Sequence, residues 1–341
     1  MARTNKILTA AAVGALIAAS PVATTAQDAE TLRFGSAFSP MSVNNRVTVP
    51  SFAEAVAEAS GGALVIDHYP GGTLGSGPVQ QLSMVENGVV DIAEVVTAYS
   101  PGRFPELAIF ELPFLAQNNV EAGLAAYSMY EDGLLSDFDD LMLVGINISG
   151  PYGISADTPI ASLEDLEGLR LRVGGPIQTA MAQALGAVPV GNIPAPQIAE
   201  NISRGLIDGT LMAPGNLLNF RITDAASHHL FDLDLGSVAV IFPMRRETYE
   251  GLSEEARAAF DSVAGENFTR ALGENLDIQQ AETIAEIEAD DAQTIHSWSD
   301  DDIAEARERL AGVAAEWDTE TNGVNLYEAV NAALEEVRAS N

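Results

Sequence analysis

Strand-like and helix-like segments alternate twice along this chain, and this pattern limits its possible folds more than any other feature. In the first alternation, apolar runs typical of strands enclose helix-like segments, at residues 31–36, 45–59, 63–68, 78–87 and 90–96. In the second, strands are expected near residues 141–146, 169–173, 188–190 and 207–212. Such alternation is typical of α/β domains with a largely parallel sheet. The sequence therefore predicts two α/β units, since about 315 residues after the leader exceed one compact core.

The first residues are expected to be a targeting signal and not part of the fold. Arg3 and Lys6 precede the apolar run Ile7–Ala19, which is followed by the small residues Thr24–Ala26. This order is typical of a secretory signal peptide, here cleaved after Ala26. An uncleaved membrane anchor is the alternative, although the run is short for a membrane span. We therefore expect an exported mature protein.

Composition excludes several classes of function. The chain carries 16 Lys and Arg residues against 49 Asp and Glu residues, a formal charge of −33. Nucleic acids and anionic membrane surfaces are therefore unexpected partners. The sequence contains no cysteine, which excludes disulfides, a thiolate nucleophile, a lipid-anchored cysteine and cysteine-based metal sites.

A basic strand in this acidic chain is the main candidate for a binding site. The strand 169–173 contains Arg170 and Arg172, and Gly174–Pro176 then ends the strand and begins a helix. Ligands of open α/β sheets bind at this carboxyl edge, where helix N–H groups also favour anions. Strand alternation places both arginines on one face, so that one could hold a ligand while the other caps the sheet.

Motifs for catalysis, cofactors or metals are weak throughout the sequence. The glycine cluster 71–77 lacks the spacing of a nucleotide-binding loop. The acidic clusters 288–291 and 300–302 lack the pattern of a calcium loop, and we interpret them as a solvated helix face and a helix start. The histidines do not have zinc-site spacing and are expected at the surface or near a hinge: His68, His228, His229 and His296. No cofactor and no metal are expected.

Six segments spread over nearly the whole mature chain form a characteristic series: Tyr69–Gly75, Pro101–Leu107, Glu111–Phe114, Leu163–Val173, Ala184–Val190 and Gly205–Gly209. Together and in this order they resemble the DctP-type solute-binding proteins, the extracytoplasmic receptors of tripartite ATP-independent periplasmic (TRAP) transporters.

This resemblance implies a two-lobed periplasmic-binding-protein fold of the Venus flytrap type, with mixed α/β sheets and a long helix spanning both lobes. Lobe 1 would comprise residues 27–150 with returning segments from about 232–265, and lobe 2 residues 151–231. The predominantly helical segment 253–317 would brace the lobes, although the residues alone also allow simple packing. Residues 318–341 would form a C-terminal helix.

The resemblance also implies that Arg172 binds a substrate carboxylate through both ends of its guanidinium, with Arg170 in a structural role. The family's Glu-Asn-Pro after Asp208-Gly209 is absent, so Met212 or Asn216 is expected on that wall instead. A second basic residue is also missing from segment 150–153, which favours a monocarboxylate with a hydroxyl, keto or aromatic body. The remaining cleft candidates are Phe38, Asn44, Tyr99, Arg103 and Tyr152.

The implied function is that of a periplasmic receptor. It would capture a small organic anion and deliver it to the small and large TRAP membrane subunits for uptake driven by an ion gradient. The alternatives are a secreted enzyme acting on a small organic acid, with Arg172 as a positioning residue, and a binding protein that feeds a sensor kinase. Since no catalytic motif stands out, we do not expect an enzyme.

Overall fold

The computed structural model describes residues 1–2, 29–75, 77–317, 320–321 and 324–340. The predicted signal peptide and its cleavage site therefore lie almost wholly outside the described residues. Two mixed sheets form the centre of a two-lobed α/β fold, and helices cover their faces. Within the described ranges, no helix combines the length and the apolar character needed to cross a membrane.

The first sheet is parallel at one end and antiparallel at the other. Its strands are β1 (Glu30–Gly35), β2 (Leu64–Tyr69), β3 (Ile92–Ala93), β4 (Val95–Val96), β5 (Leu141–Ser149) and, from later in the chain, β11 (Val238–Arg245). Strand β1 pairs in parallel with β2 and β3. Strand β11 runs antiparallel to β3, β4 and β5. Its eight residues are nearly all buried, which fits its run of valine, isoleucine and phenylalanine.

The second sheet consists of short strands, which are β6 (Gly153–Ala156), β7 (Arg170–Arg172), β8 (Val188–Val190), β9 (Gly209–Met212), β10 (His228–Leu230) and β12 (Thr294–His296). The strand order is β12-β10-β6-β9-β7-β8. Strand β7 pairs in parallel with β8 and β9, so its carboxyl end lies at the sheet edge that the sequence indicated. A small hairpin, β13 (Glu320–Thr321) and β14 (Val324–Asn325), follows later.

The helices are α1 (Val49–Ala59), α2 (Gln81–Glu86), α3 (Asn119–Glu131), α4 (Pro176–Ala184), α5 (Ile198–Ser203), α6 (Arg246–Gly251), α7 (Glu254–Asp261), α8 (Glu266–Ala289), α9 (Asp300–Glu316) and α10 (Leu326–Ser340). A π-helical turn, Asn44–Thr48, leads into α1, and 3₁₀ turns precede several other helices.

The structure differs from the sequence prediction in how the sheets are built. The sequence pattern places the strand at residues 141–146 in the second alternation, but β5 pairs along its length with β11 in the first sheet. The prediction of a largely parallel sheet is also wrong for the first sheet. Strand β11 enters it from the chain after the second lobe and pairs antiparallel with β3, β4 and β5. Strand β11 pairs with β5, which lies about a hundred residues earlier in the chain. No local sequence pattern indicates such a distant partner, so the sequence alone assigned β5 to the wrong sheet.

The C-terminal third contains a strand that the helical pattern did not predict. Strand β12 lies within the segment 253–317, for which the sequence predicts a predominantly helical structure, and Thr294–His296 extends the second sheet beside β10. The C-terminal helix begins at Leu326, later than the expected residue 318. By contrast, α9 begins at Asp300 after the cap residue Ser299, so the acidic cluster 300–302 is a helix start, as predicted.

Helix α8 contacts both lobes. Near its start, Phe268 and Thr269 pack on β5, and the Thr269 hydroxyl accepts a hydrogen bond of 3.1 Å from the Ile146 amide. Nearer its end, the Gln279 side chain donates to the carbonyl of Gly215 in the second lobe. One 24-residue helix therefore links the two sheets.

Candidate functional site

A cavity lies between the two sheets, at the carboxyl end of β7. The space that the centre of a water molecule can reach inside it is about 80 Å³, which is enough for several waters. Both sheets and α8 contribute to its wall. The residues that line it include Phe38, Asn44, Glu94, Val96, Tyr99, Asn147, Ser149, Tyr152, Arg172, Gly174, Gln178, Met212, Asn216, Phe220, Val240 and Leu276.

Arg172 is the only buried arginine among the described residues, with 3% of its surface exposed. Its Nε donates to the Ile193 carbonyl at 2.8 Å, and its Nη2 donates to the Tyr99 hydroxyl at 3.2 Å. Within the described part of the chain, no carboxylate lies within 4.0 Å of the guanidinium. A buried cation without an anionic partner is costly, so this geometry favours an anionic ligand.

Arg170, two residues earlier, makes a different set of contacts. It forms a salt bridge with Asp208, and its Nη1 donates to the Gly205 carbonyl at 2.8 Å. The side chain is 42% exposed at the start of β7, whereas Arg172 lies at the strand's end beside the cavity. Arg170 thus ties β7 to the turn before β9.

Further hydrogen-bond donors lie close to Arg172. A Cβ atom placed on Gly174 would lie 3.5 Å from both Arg172 Nη1 and Gln178 Nε2. Gln178 accepts a 2.7 Å hydrogen bond from the Gly174 amide through Oε1, which fixes its Nε2 as the free donor. Burial raises the pKa of Tyr152, so its hydroxyl keeps its proton. The second-lobe wall of the cavity therefore presents donors.

The first-lobe wall presents acceptors instead. Glu94, between β3 and β4, is 5% exposed, and its carboxylate accepts 2.6 Å and 2.8 Å hydrogen bonds from Ser36 and Asn44. Burial raises the pKa of Glu94, while these two hydrogen bonds act in the opposite direction. Asn147 on β5 lines the same wall, and its Oδ1 is buried with no donor among the described residues.

Apolar side chains form the rest of the cavity wall. Phe38 of the first lobe and Phe220 of the second meet edge to face, with ring centroids 6.0 Å apart. Met212, at the end of β9, is 3% exposed and belongs to the core of the second lobe. Val96, Val240 and Leu276 also line the cavity. Such walls suit a compact, largely apolar ligand body.

Two side chains on the cavity wall also connect the lobes. The Tyr99 hydroxyl, after β4, accepts hydrogen bonds from Arg172 and from the Ala195 amide, the latter at 3.0 Å. The side-chain Nδ2 of Asn216 donates to the Ser149 hydroxyl, at the end of β5, at 2.9 Å. The structure is therefore a closed form in which polar contacts cross the cavity.

Of the eight side chains predicted for the site, the structure brings seven to this cavity, and Arg103 is the exception. Arg103 lies in a separate surface depression, where it forms salt bridges of 2.7 Å with Glu86 and 3.3 Å with Asp137. Its guanidinium is also 5.1 Å from the ring centroid of Phe104. Because Arg103 is already paired with these carboxylates and lies outside the cavity, its prediction as a ligand-binding residue is wrong, and its role is structural.

Sequence reasoning missed the polar residues Glu94, Asn147 and Gln178. Glu94 gave a usable signal, since it is an acidic residue inside the apolar run 90–96. The histidine prediction is wrong for His229, which is fully buried and bonds to Ser155 and Gln293, each at 2.9 Å. The described residues contain no cluster suited to a metal ion.

Comparison with known proteins agrees with this architecture. The family model for the bacterial extracellular solute-binding protein, family 7 (DctP), matches residues 34–320. The outer membrane transporter protein TsaT of Comamonas testosteroni is 24% identical over 326 residues, covering 93% of this chain and 94% of TsaT.

Solved structures give the same result. A TRAP solute-binding protein from a marine metagenome, specific for aromatic acid ligands and solved with metahydroxyphenylacetate, is 29% identical with a TM-score of 0.84. The match covers 90% of this chain and 99% of that one. A TRAP solute-binding protein from Rhodoferax ferrireducens T118, solved with copurified benzoate, is 26% identical with a TM-score of 0.84, covering 91% and 99%. Together with its two lobes and central cavity, these matches establish that the chain belongs to the DctP family of TRAP transporter solute-binding proteins.

Proposed function

We propose that this receptor binds a small organic monocarboxylate through Arg172 and delivers it to the TRAP membrane subunits. The observation that carries the proposal is the buried guanidinium of Arg172 in the cavity between the lobes, which has no carboxylate within 4.0 Å among the described residues. Its planar fork matches the two oxygens of a carboxylate, and each charge-assisted hydrogen bond contributes roughly 1.5–3 kcal/mol. Tyr152 and Gln178 supply additional donors beside it.

The ligand body is proposed to be aromatic or similarly apolar. Phe38, Phe220, Met212 and the aliphatic side chains supply apolar surface along the cavity wall. The marine metagenome relative is specific for aromatic acids, and the Rhodoferax relative was solved with benzoate, which supports this choice. Sugar acids, which need many hydrogen bonds, fit such walls poorly.

The mature receptor is proposed to act in the periplasm, after its signal peptide has been removed near Ala26. The alternative of a secreted enzyme has no specific observation in its favour. The polar side chains around Arg172 are suited to bind and orient a carboxylate. A receptor releases its ligand chemically unchanged, and this separates the two functions experimentally.

The test is a thermal-shift and calorimetry screen of residues 27–341 against aromatic and aliphatic monocarboxylates, dicarboxylates and sugar acids. A ligand at 100 times its Kd should stabilise the protein by about 2.7 kcal/mol. We expect aromatic monocarboxylates to bind and to be recovered unchanged by mass spectrometry. Absence of binding across all acids, or turnover of the bound acid, would refute the proposal.

A further inference from the structure

The first-lobe wall of the cavity is built to accept hydrogen bonds, and its centre is Glu94. The Ser36 hydroxyl accepts hydrogen bonds from the Phe38 amide at 3.1 Å and from Asn45 Nδ2 at 3.0 Å. Its own hydrogen is therefore directed to Glu94 Oε2, 2.6 Å away. In this network Glu94 acts as a hydrogen-bond acceptor.

Asn44 reinforces the same polarity. Its Nδ2 donates to Glu94 Oε1 at 2.8 Å, which fixes the orientation of the amide and leaves Oδ1 as an acceptor. Asn44 Oδ1 and Asn147 Oδ1 are both buried, and neither has a donor among the described residues. An unmet buried acceptor costs free energy, and a donor that reached either oxygen would remove that cost.

The two ends of the cavity therefore differ in their hydrogen-bonding character. Arg172, Tyr152 and Gln178 of the second lobe offer donors, whereas Glu94, Asn44 and Asn147 of the first lobe offer acceptors. Arg172 is already assigned a carboxylate by the proposed function, on which this inference rests. A ligand that complements both walls must also carry a donor, away from its carboxylate.

We propose that the ligand is a hydroxy-substituted monocarboxylate, and that Glu94 selects it by accepting a hydrogen bond from the hydroxyl group. Each carboxylate oxygen of Glu94 can accept one more hydrogen bond besides those from Ser36 and Asn44. A site built around such a bond rejects the analogue that lacks the donor, because its buried acceptors then stay unpaired.

The experiment measures Kd by calorimetry for matched acids that differ only in the donor. The pairs are benzoate against 3- and 4-hydroxybenzoate, phenylacetate against 3-hydroxyphenylacetate, and butyrate against 4-hydroxybutyrate. The methoxy forms of the aromatic acids keep the oxygen and remove the hydrogen. Wild-type protein should bind at least one hydroxy acid tenfold or more tightly than its parent and methoxy forms. Glu94→Gln should reduce that preference to threefold or less and leave the parent acid bound.

Glu106→Gln is the matched control. Glu106 is also a buried glutamate of the first lobe, but its carboxylate accepts from Ser136, at 2.8 Å from the hydroxyl, outside the cavity. This variant should keep the hydroxyl preference. If Glu94→Gln does not fold, the comparison of hydroxy and methoxy acids on wild-type protein still decides whether the site requires a donor on the ligand, and equal binding overturns the proposal.

The outcomes separate this inference from the proposed function. Equal binding of parent and hydroxy acids, or a full preference retained in Glu94→Gln, would overturn the role of Glu94 while leaving carboxylate capture intact. Failure of every acid in the series to bind would overturn both.

Discussion

Arg172 and Tyr99 meet across the cavity, with the guanidinium Nη2 of one 3.2 Å from the hydroxyl of the other. Arg172 ends a strand of the second sheet, and Tyr99 follows a strand of the first. The Tyr99 hydroxyl also accepts from the Ala195 amide at 3.0 Å, again from the second lobe. The residue proposed to hold the ligand therefore takes part in lobe closure as well.

Tyr99→Phe should weaken ligand binding by favouring the open form. The variant keeps the aromatic ring and loses two hydrogen bonds between the lobes, so we expect Kd to rise roughly tenfold. Stopped-flow fluorescence should assign most of this change to faster dissociation. The control is Tyr249→Phe, whose hydroxyl donates to Asp261 outside the cavity. An unchanged dissociation rate in Tyr99→Phe would contradict a role in closure.

Arg172→Lys should lose most of the binding even though the charge is kept. Lysine cannot bind two carboxylate oxygens in one plane, nor can it keep both the Ile193 and the Tyr99 contacts. We expect Kd to rise roughly 100-fold for Arg172→Lys and further for Arg172→Ala. Calorimetry on variants with a native circular dichroism spectrum measures the effect.

Arg170→Lys is the matched control for that measurement, since it changes the other arginine of the same strand. Arg170 pairs with Asp208 and lies at the far end of β7. We expect a lower melting temperature and a Kd close to that of wild type. A larger loss of affinity in Arg170→Lys than in Arg172→Lys would reverse the assignment of the two residues.

Glu111 should make stability depend on pH. Its carboxyl is buried beside Gly175, its Oε2 has no hydrogen-bond partner among the described residues, and burial raises its pKa from 4.5 to about 7. Between these two pH values the folded protein keeps a proton that the unfolded chain has released. The free energy of unfolding therefore falls as pH rises from 4.5 to 7, and above pH 7 it stays lower by the full cost of burying the ionised Glu111 carboxylate.

Glu111→Gln removes this cost, which corresponds to roughly 3 kcal/mol for the difference between the two pKa values. We expect the variant to be more stable than wild type at pH 8 and similar to it at pH 4, by urea unfolding at each pH. The pH 4 comparison serves as the control. A stability difference that is equal at both pH values would rule out titration of Glu111 as its cause.

Gly236→Ala should be strongly destabilising. Gly236 has a φ of 72°, and a Cβ atom there would lie 2.0 Å from the Glu111 carbonyl oxygen. Gly133 has a similar φ of 71° with no atom within 4 Å of such a Cβ, so Gly133→Ala measures the backbone cost alone. We expect roughly 1 kcal/mol for Gly133→Ala and at least twice that for Gly236→Ala in chemical denaturation. Equal losses would contradict the close contact.

The sequence predicted the features that depend on neighbouring residues. Helix α4 begins at Pro176, as the segment Gly174–Pro176 predicts. The same local pattern, a strand followed by Gly-Gly-Pro, led to Arg172. These features follow from backbone preferences that a few adjacent residues determine.

Features that depend on distant partners could not be predicted in this way. Arg103 seemed a free cation because its partners Glu86 and Asp137 are 17 and 34 positions away along the chain. Asn147 reaches the cavity only because β5 pairs with β11, which comes much later. The acceptor wall around Glu94 likewise combines residues from three separate segments of the first lobe. Such groupings arise from tertiary pairing, for which a single sequence carries no periodic signal.

Helix α8 has a mechanical consequence for how this receptor opens. Its start is attached to β5 through Thr269, and its later turns are attached to Gly215 through Gln279. The lobes therefore cannot separate as two bodies on a free hinge, because the helix must bend or release one attachment. Opening then works against an elastic torque that tends to restore the closed shape. We expect the empty receptor to open through a limited angle, so that even a compact ligand with few contacts can complete closure.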